Sequence, residues 1–184
     1  TVKRLIFWAW LLALIFAQEK FISLAPNITE SVCYLGGSNR LVGITNDCNQ
    51  PTWIQNKTKV GKYTFPDLEK IISLQPATVL AENSIDKRFL AKLQMHGIKY
   101  SLYNFQDLNV FFTELYRLNT EGQFNNKSKI DRLEKKFAQA KRSKQNKKFI
   151  ILLWQKPYIA VGQNMFLSQY FEHRGLTNCV TVNG

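Results

Sequence analysis

From residue 20 onward, short apolar runs alternate with stretches of helical period, and prolines, glycines or capping residues mark most of the switches. Residues 20–24 (KFISL), 41–45 (LVGIT), 78–81 (TVLA) and 98–103 (IKYSLY) read as strands, because short apolar runs bounded by turn signals fit strands buried on both faces. Between the first two, Asn27-Ile28-Thr29-Glu30 offers a capping residue followed three positions later by a glutamate, which signals a helix start, and Gly36-Gly37 stop that helix. Residues 47–62 are polar, with proline and glycine, and read as loop. Pro66-Asp67 opens a helix that runs through Leu74, with Pro76 beyond its end. Residues 85–95 form a further helix, stopped near Gly97.

Strand and helix thus alternate, with crossovers long enough for parallel pairing, so the fold class is α/β with a parallel sheet covered by helices. In open parallel sheets the ligand crevice lies outside the carboxyl ends of the strands. That rule gathers Ala25-Pro26, residues 46–65 and residues 82–84 at one edge. Further along, residues 107–118 read as a helix, 119–126 as a polar break, and 128–145 as a longer helix with Ile130, Leu133, Phe137 and Ala140 at helical spacing. Residues 149–154 (FIILLW) return to strand, 158–161 form another, 164–173 form a helix closed by Gly175, and a last strand begins at Cys179. The organisation expected is an N-terminal α/β lobe at 20–104, a helical connector at 105–146, and the opening of a second, incomplete α/β lobe at 147–184.

The first seventeen residues change the picture. Lys3 and Arg4 precede thirteen apolar residues at 5–17 (LIFWAWLLALIFA), and Gln18, Glu19 and Lys20 restore polarity. This is the layout of a signal peptide, since a membrane-spanning helix needs about 20 apolar residues; an uncleaved anchor is the alternative. Export implies an oxidising location for Cys33, Cys48 and Cys179. Three independent thiols are expected, with a Cys33 to Cys48 disulfide left open. Hydrophobic residues at 45% and charged ones at 21% are those of a globular protein. Much of the net charge of +12 falls at 127–148 (KSKIDRLEKKFAQAKRSKQNKK) and reads as a solvated helix face. No nucleic-acid recognition motif accompanies it, so nucleic acid is not an expected partner.

No catalytic arrangement stands out. The chain has neither a Gly-x-Ser-x-Gly elbow nor a phosphate-binding Gly-Lys-Ser or Gly-Lys-Thr. His96 and His173 both sit near helix ends, where a histidine usually meets the dipole rather than a metal. Neither an enzyme nor a metal site is expected. What remains is a set of aromatic and polar residues on the cleft-edge loops: Trp53, Tyr63, Phe65, Trp154 and Tyr158, with Asn83 and Gln155 as hydrogen-bonding groups.

The stretches FISLAPNITESVCYLGGSNRLVGITNDCNQP and KVGKYTFPDLEKIISLQPATVLA resemble the helical-backbone substrate-binding proteins of ABC importers for cobalamin, haem and ferric siderophores. The resemblance rests on residues 23–30, the Leu41-Val42-Gly43 strand, the loop from Cys48 to Pro51, Val60-Gly61, and Pro66-Asp67-Leu68-Glu69 with Leu74, Pro76 and Val79. It implies a class III periplasmic binding protein, with two α/β lobes joined by a rigid helix and a metal chelate held between them. It further implies no resident cofactor and a permease in the inner membrane as partner. Glu69 falls where the family docks on the permease, Tyr63 and Phe65 where an aromatic often faces the ligand, and Trp154 and Gln155 on the second lobe's cleft edge; with Asn83 from the cleft-edge set, these are the expected ligand contacts. Two departures stand out. Cys48-Asn49-Gln50-Pro51 lacks the tyrosine common in the family's loop, and relatives continue past the position of Gly184. The alternatives are a shortened, non-transporting remnant and a doubly wound α/β enzyme.

Overall fold

A computed structural model describes residues 19–140 and 147–180; the expected signal peptide at 1–17 and the expected end of the connector at 141–146 lie outside these. The described residues form two compact units, one from 19–29 and 38–101, the other from 30–37, 102–140 and 147–180.

The first unit is built on a five-stranded sheet of β1 (Phe21–Ser23), β2 (Leu41–Ile44), β3 (Thr58–Lys59), β4 (Thr78–Glu82) and β5 (Lys99–Tyr103, the last two residues belonging to the second unit), in the order β3-β2-β1-β4-β5. β1 pairs in parallel with both β2 and β4, and β2 with β3. The order reverses direction between β1 and β4, which opens a crevice at their carboxyl ends. Apolar residues with full burial fill the sheet: Ile22, Leu41, Ile44 and Val79 are wholly covered. Helix α1 (Pro26–Tyr34) begins at Pro26, whose fixed φ suits the first helical position. The capping role expected of Asn27 is not what the structure shows. Its side chain lies inside the first turn, Oδ1 accepting from Ile28 N at 2.8 Å and Nδ2 donating to Glu82 Oε1.

Helix α2 (Leu68–Ser73) is capped by Asp67, which accepts from Lys70 N at 3.1 Å, and α3 (Lys87–Met95) by Asp86, which accepts from Arg88 N at 2.8 Å. The segment read as loop at 47–62 carries a 3-10 turn at Thr52–Asn56 as well as β3. An edge strand of two residues leaves too short a pattern to read. All three cysteines are without disulfides: Cys48 is buried, its Sγ 3.1 Å from Thr29 Oγ1 and 3.2 Å from Thr45 Oγ1.

The second unit holds α4 (Leu108–Glu121), α5 (Lys127–Gln139) and α6 (Phe166–His173) with two small sheets. Between α4 and α5, Gln123 and Asn125 adopt φ of 50° and 56°, and Asn126 Nδ2 donates to Leu35 O at 2.7 Å. The ring of Phe124 lies over Gly122 so closely that a Cβ there would come within 2.3 Å of it. FIILLW is not one strand. β6 (Lys148–Phe149) pairs with β9 (Thr177–Asn178), whereas β7 (Leu152–Gln155) pairs antiparallel with β8 (Tyr158–Ala160). The chain changes partners at Ile150 and Ile151, which an unbroken apolar run does not reveal. The last strand also starts earlier than Cys179, at Thr177.

A cleft at the carboxyl ends of the central strands

In the first unit a cleft of about 580 Å³ opens at the reversal between β1 and β4, lined by Leu24 after β1, Glu82 and Ser84 at and after the end of β4, residues 63–66, and Arg88, Phe89 and Lys92 of α3. At its base is Glu82, only 5% exposed. A buried carboxyl group is costly unless its oxygens are hydrogen-bonded. Here Asn27 Nδ2 donates to one oxygen, and Tyr63 Oη donates to the other at 2.5 Å. Ser84 Oγ lies 2.9 Å from the same phenol oxygen and 3.5 Å from Glu82 Oε2.

Tyr63 is held there by backbone geometry. Gly61 and Pro66 form an antiparallel bridge, Lys62 and Phe65 exchange hydrogen bonds of 3.1 and 3.2 Å, and Asp47 Oδ2 accepts from Tyr63 N at 2.6 Å. The turn closes because Gly61 has φ of 91°, with Phe65 O at 2.7 Å from where a Cβ would stand, so both its conformation and its close approach exclude a side chain. Burial, and then the hydrogen bond to Glu82, push the Tyr63 phenol above its ordinary pKa of 10.0, with Ser84 acting in the opposite direction. Tyr63 therefore works as a phenol at neutral pH, a hydrogen-bonding group facing the cleft.

The walls are of two kinds. Phe65, 80% exposed, and Phe89 present aromatic surface, while Arg88 and Lys92 bring positive charge. Arg88 is fixed by Asp86, with Nη2 at 2.7 Å and Nε at 3.0 Å from Oδ2, and this partner holds its pKa above the ordinary value. Such a surface suits a flat, largely apolar molecule with a polar periphery. Among the described residues no group of three or more His, Cys, Asp or Glu side chains is placed to hold a metal ion.

Of the residues singled out by sequence, Tyr63 and Phe65 line the cleft together. Asn83 is exposed and does not line it. Glu69 is exposed in the first turn of α2. Trp154 and Gln155 lie in the second unit, exposed on β7, with Trp154 Nε1 donating to Lys156 O at 3.1 Å. Sequence reasoning placed residues 82–84 at the crevice edge without singling out Glu82 or Ser84, and passed over Arg88, Phe89 and Lys92. The signal for Glu82 was available: an acid directly closes the apolar run TVLA at a strand's carboxyl end.

No protein-family profile matches the chain. The vitamin B12-binding protein of Vibrio cholerae serotype O1 is 28% identical over 180 residues, which span 91% of this chain and 63% of that protein. The solved periplasmic vitamin B12-binding protein BtuF of Vibrio cholerae superposes with a TM-score of 0.72 at 25% identity, covering 90% of this chain and 68% of that one. The chain has the fold of the periplasmic substrate-binding proteins. The periplasmic heme-binding protein HutB of Vibrio cholerae agrees, with a TM-score of 0.76 at 18% identity over 88% of this chain and 66% of that one. A shorter match joins residues of this chain to the uncharacterised ABC transporter substrate-binding lipoprotein YvrC of Bacillus subtilis, 38% identical over 66 residues, or 36% of this chain and 21% of that one. The class III fold and the resemblance read from the residues agree with these relatives, whose names are those of binding proteins rather than enzymes. The chain spans 63% of the length of the curated vitamin B12-binding relative.

Proposed function

We propose that this chain belongs to the substrate-binding component of an ABC importer, which captures a metal chelate and delivers it to a membrane permease. The observation that carries this reading is the cleft itself, at the strand reversal, where Glu82 holds the Tyr63 phenol and Phe65 and Phe89 also line the walls. Relatives named for vitamin B12 and heme support cobalamin or haem as the ligand class, and the resemblance read in the sequence adds a ferric siderophore. The work is passive capture. Aromatic faces cover the chelate, and Tyr63, Ser84 and the two cations meet its polar edge. Trp154 and Gln155 are proposed as further ligand contacts, and Asn83 as a polar contact. Location is periplasmic, with residues 1–17 as the export signal.

Glu69 is proposed as a docking residue. It is exposed and outside the cleft lining, so Glu69→Arg should leave chelate affinity unchanged while weakening association with a reconstituted permease by tenfold or more, on the order of 1.4 kcal/mol. The capture reading is tested by titrating cyanocobalamin, haemin and a panel of ferric siderophores into the protein and following tryptophan fluorescence and the thermal midpoint. A saturable signal with a raised midpoint for one class is expected. No response to any of them would overturn the proposal.

A further inference from the structure

Helix α5 presents three sectors when its residues are set at 3.6 per turn. Ile130, Leu133 and Phe137 point inward: Ile130 is buried, and the Phe137 ring meets those of Phe112 and Tyr170. Asp131 and Glu134 form a second sector and are already engaged, with Tyr116 Oη 2.6 Å from Asp131 and 3.0 Å from Glu134, and Lys127 Nζ 3.1 Å from Asp131. The third sector, about 120° wide, holds Lys129, Arg132, Lys135 and Lys136, all exposed. Lys129 Nζ donates to Tyr34 O at 3.2 Å. Among the described residues no carboxylate pairs with Arg132, Lys135 or Lys136.

We propose that this basic flank seats the protein on an anionic phospholipid bilayer. The acids of α5 fall in the adjoining sector and are already engaged by Tyr116 and Lys127, so the outward sector itself carries one sign of charge. A convex row of lysines with an arginine matches a diffuse sheet of phosphate charge rather than one geometric pocket. Single-stranded nucleic acid fits it less well, because that ligand is held on aromatic platforms set between the cations, and this sector carries none. The apolar side of α5 is packed inside its own unit, so the contact is electrostatic and shallow, unlike that of a helix embedded in the interface. The choice of a bilayer over another polyanion rests on the reading of the chain as part of an exported, permease-delivering protein. Held near the membrane, such a protein meets its permease at a raised effective concentration.

The test is co-sedimentation of the full chain with phosphatidylcholine vesicles, with and without one part in four of phosphatidylglycerol. Each cation near an anionic surface strengthens partition about fivefold, so R132Q/K135Q/K136Q should bind anionic vesicles on the order of 100-fold more weakly. A control removing equal charge from exposed lysines elsewhere, K20Q/K87Q/K99Q, should change binding much less. Salt should erase the native protein's preference for anionic vesicles. Equal binding of the two triple variants, equal binding to neutral and anionic vesicles, or displacement from vesicles by a stoichiometric single-stranded oligonucleotide would each overturn the proposal. An unchanged thermal midpoint identifies folded variants, and if R132Q/K135Q/K136Q fails to fold, R132K with K136Q alone, expected to lose about fivefold, replaces it. Chelate titration is read separately, so lost vesicle preference with chelate binding intact overturns this proposal alone.

Discussion

β4 and β7 are both apolar strands, yet one is covered and the other bare. β4 has β1 and β5 on either side, and Val79, Leu80, Ala81 and Glu82 are all buried. Among the described residues β7 has only β8 beside it, and Leu152, Leu153, Trp154 and Gln155 are all exposed. The difference teaches where rigidity comes from. β4 delivers Glu82 to a fixed point because packing on its neighbours decides the conformation of every residue before it. β7 holds its residues by a hairpin ladder alone, which is marginal on its own in water.

The largest effects should follow this contrast. Ile44→Ala, at a wholly buried position of β2, should cost about 2–5 kcal/mol by thermal or denaturant unfolding, whereas Leu152→Ser on β7 should stay within about 0.5 kcal/mol. Similar costs at both sites would break the comparison. Next comes Gly61→Ala, which forces a side chain into φ of 91° against Phe65 O; it should cost about 1–3 kcal/mol and lower chelate affinity by moving Tyr63.

A smaller effect concerns pH. The folded chain holds the Tyr63 proton to higher pH than the unfolded chain does, so it binds more protons around the ordinary value of 10.0. This contribution to stability is fully present below that value and is lost as pH rises through the folded value. Ultraviolet titration of the phenols should show Tyr63 among the last to ionise, and Glu82→Gln should bring it back part of the way, since burial remains. The smallest change is Ser84→Ala, which removes a hydrogen bond that lowers the Tyr63 pKa and should push its titration further up. A downward movement would show that Ser84 acts on the phenol in another way.

Much of the first unit was legible because its elements carried punctuation: Pro66-Asp67 open one helix, and Gly36 and Gly97 close two others at φ of 82° and 69°. The crevice edge followed from alternation of strand and helix. What the pattern did not carry was pairing. Nothing in FIILLW shows that Phe149 pairs with β9 and Leu152 with β8, because apolar runs record burial and not partners. The site was half legible for a related reason. Tyr63 and Phe65 stand out as aromatics on a loop, but Glu82 gains its meaning from Asn27, 55 residues earlier, and from Tyr63, 19 residues earlier. Asn83, singled out as the polar group at this strand end, follows Glu82 in the exposed turn after β4.

The central claim is that a chelate sits over Tyr63 and Glu82. Amide chemical-shift mapping tests it most directly, with the chelate that stabilises the protein added in steps. The account predicts saturating shifts centred on residues 62–66 and 82–92, reduced in Tyr63→Phe. Saturable binding that leaves those amides unmoved would contradict it.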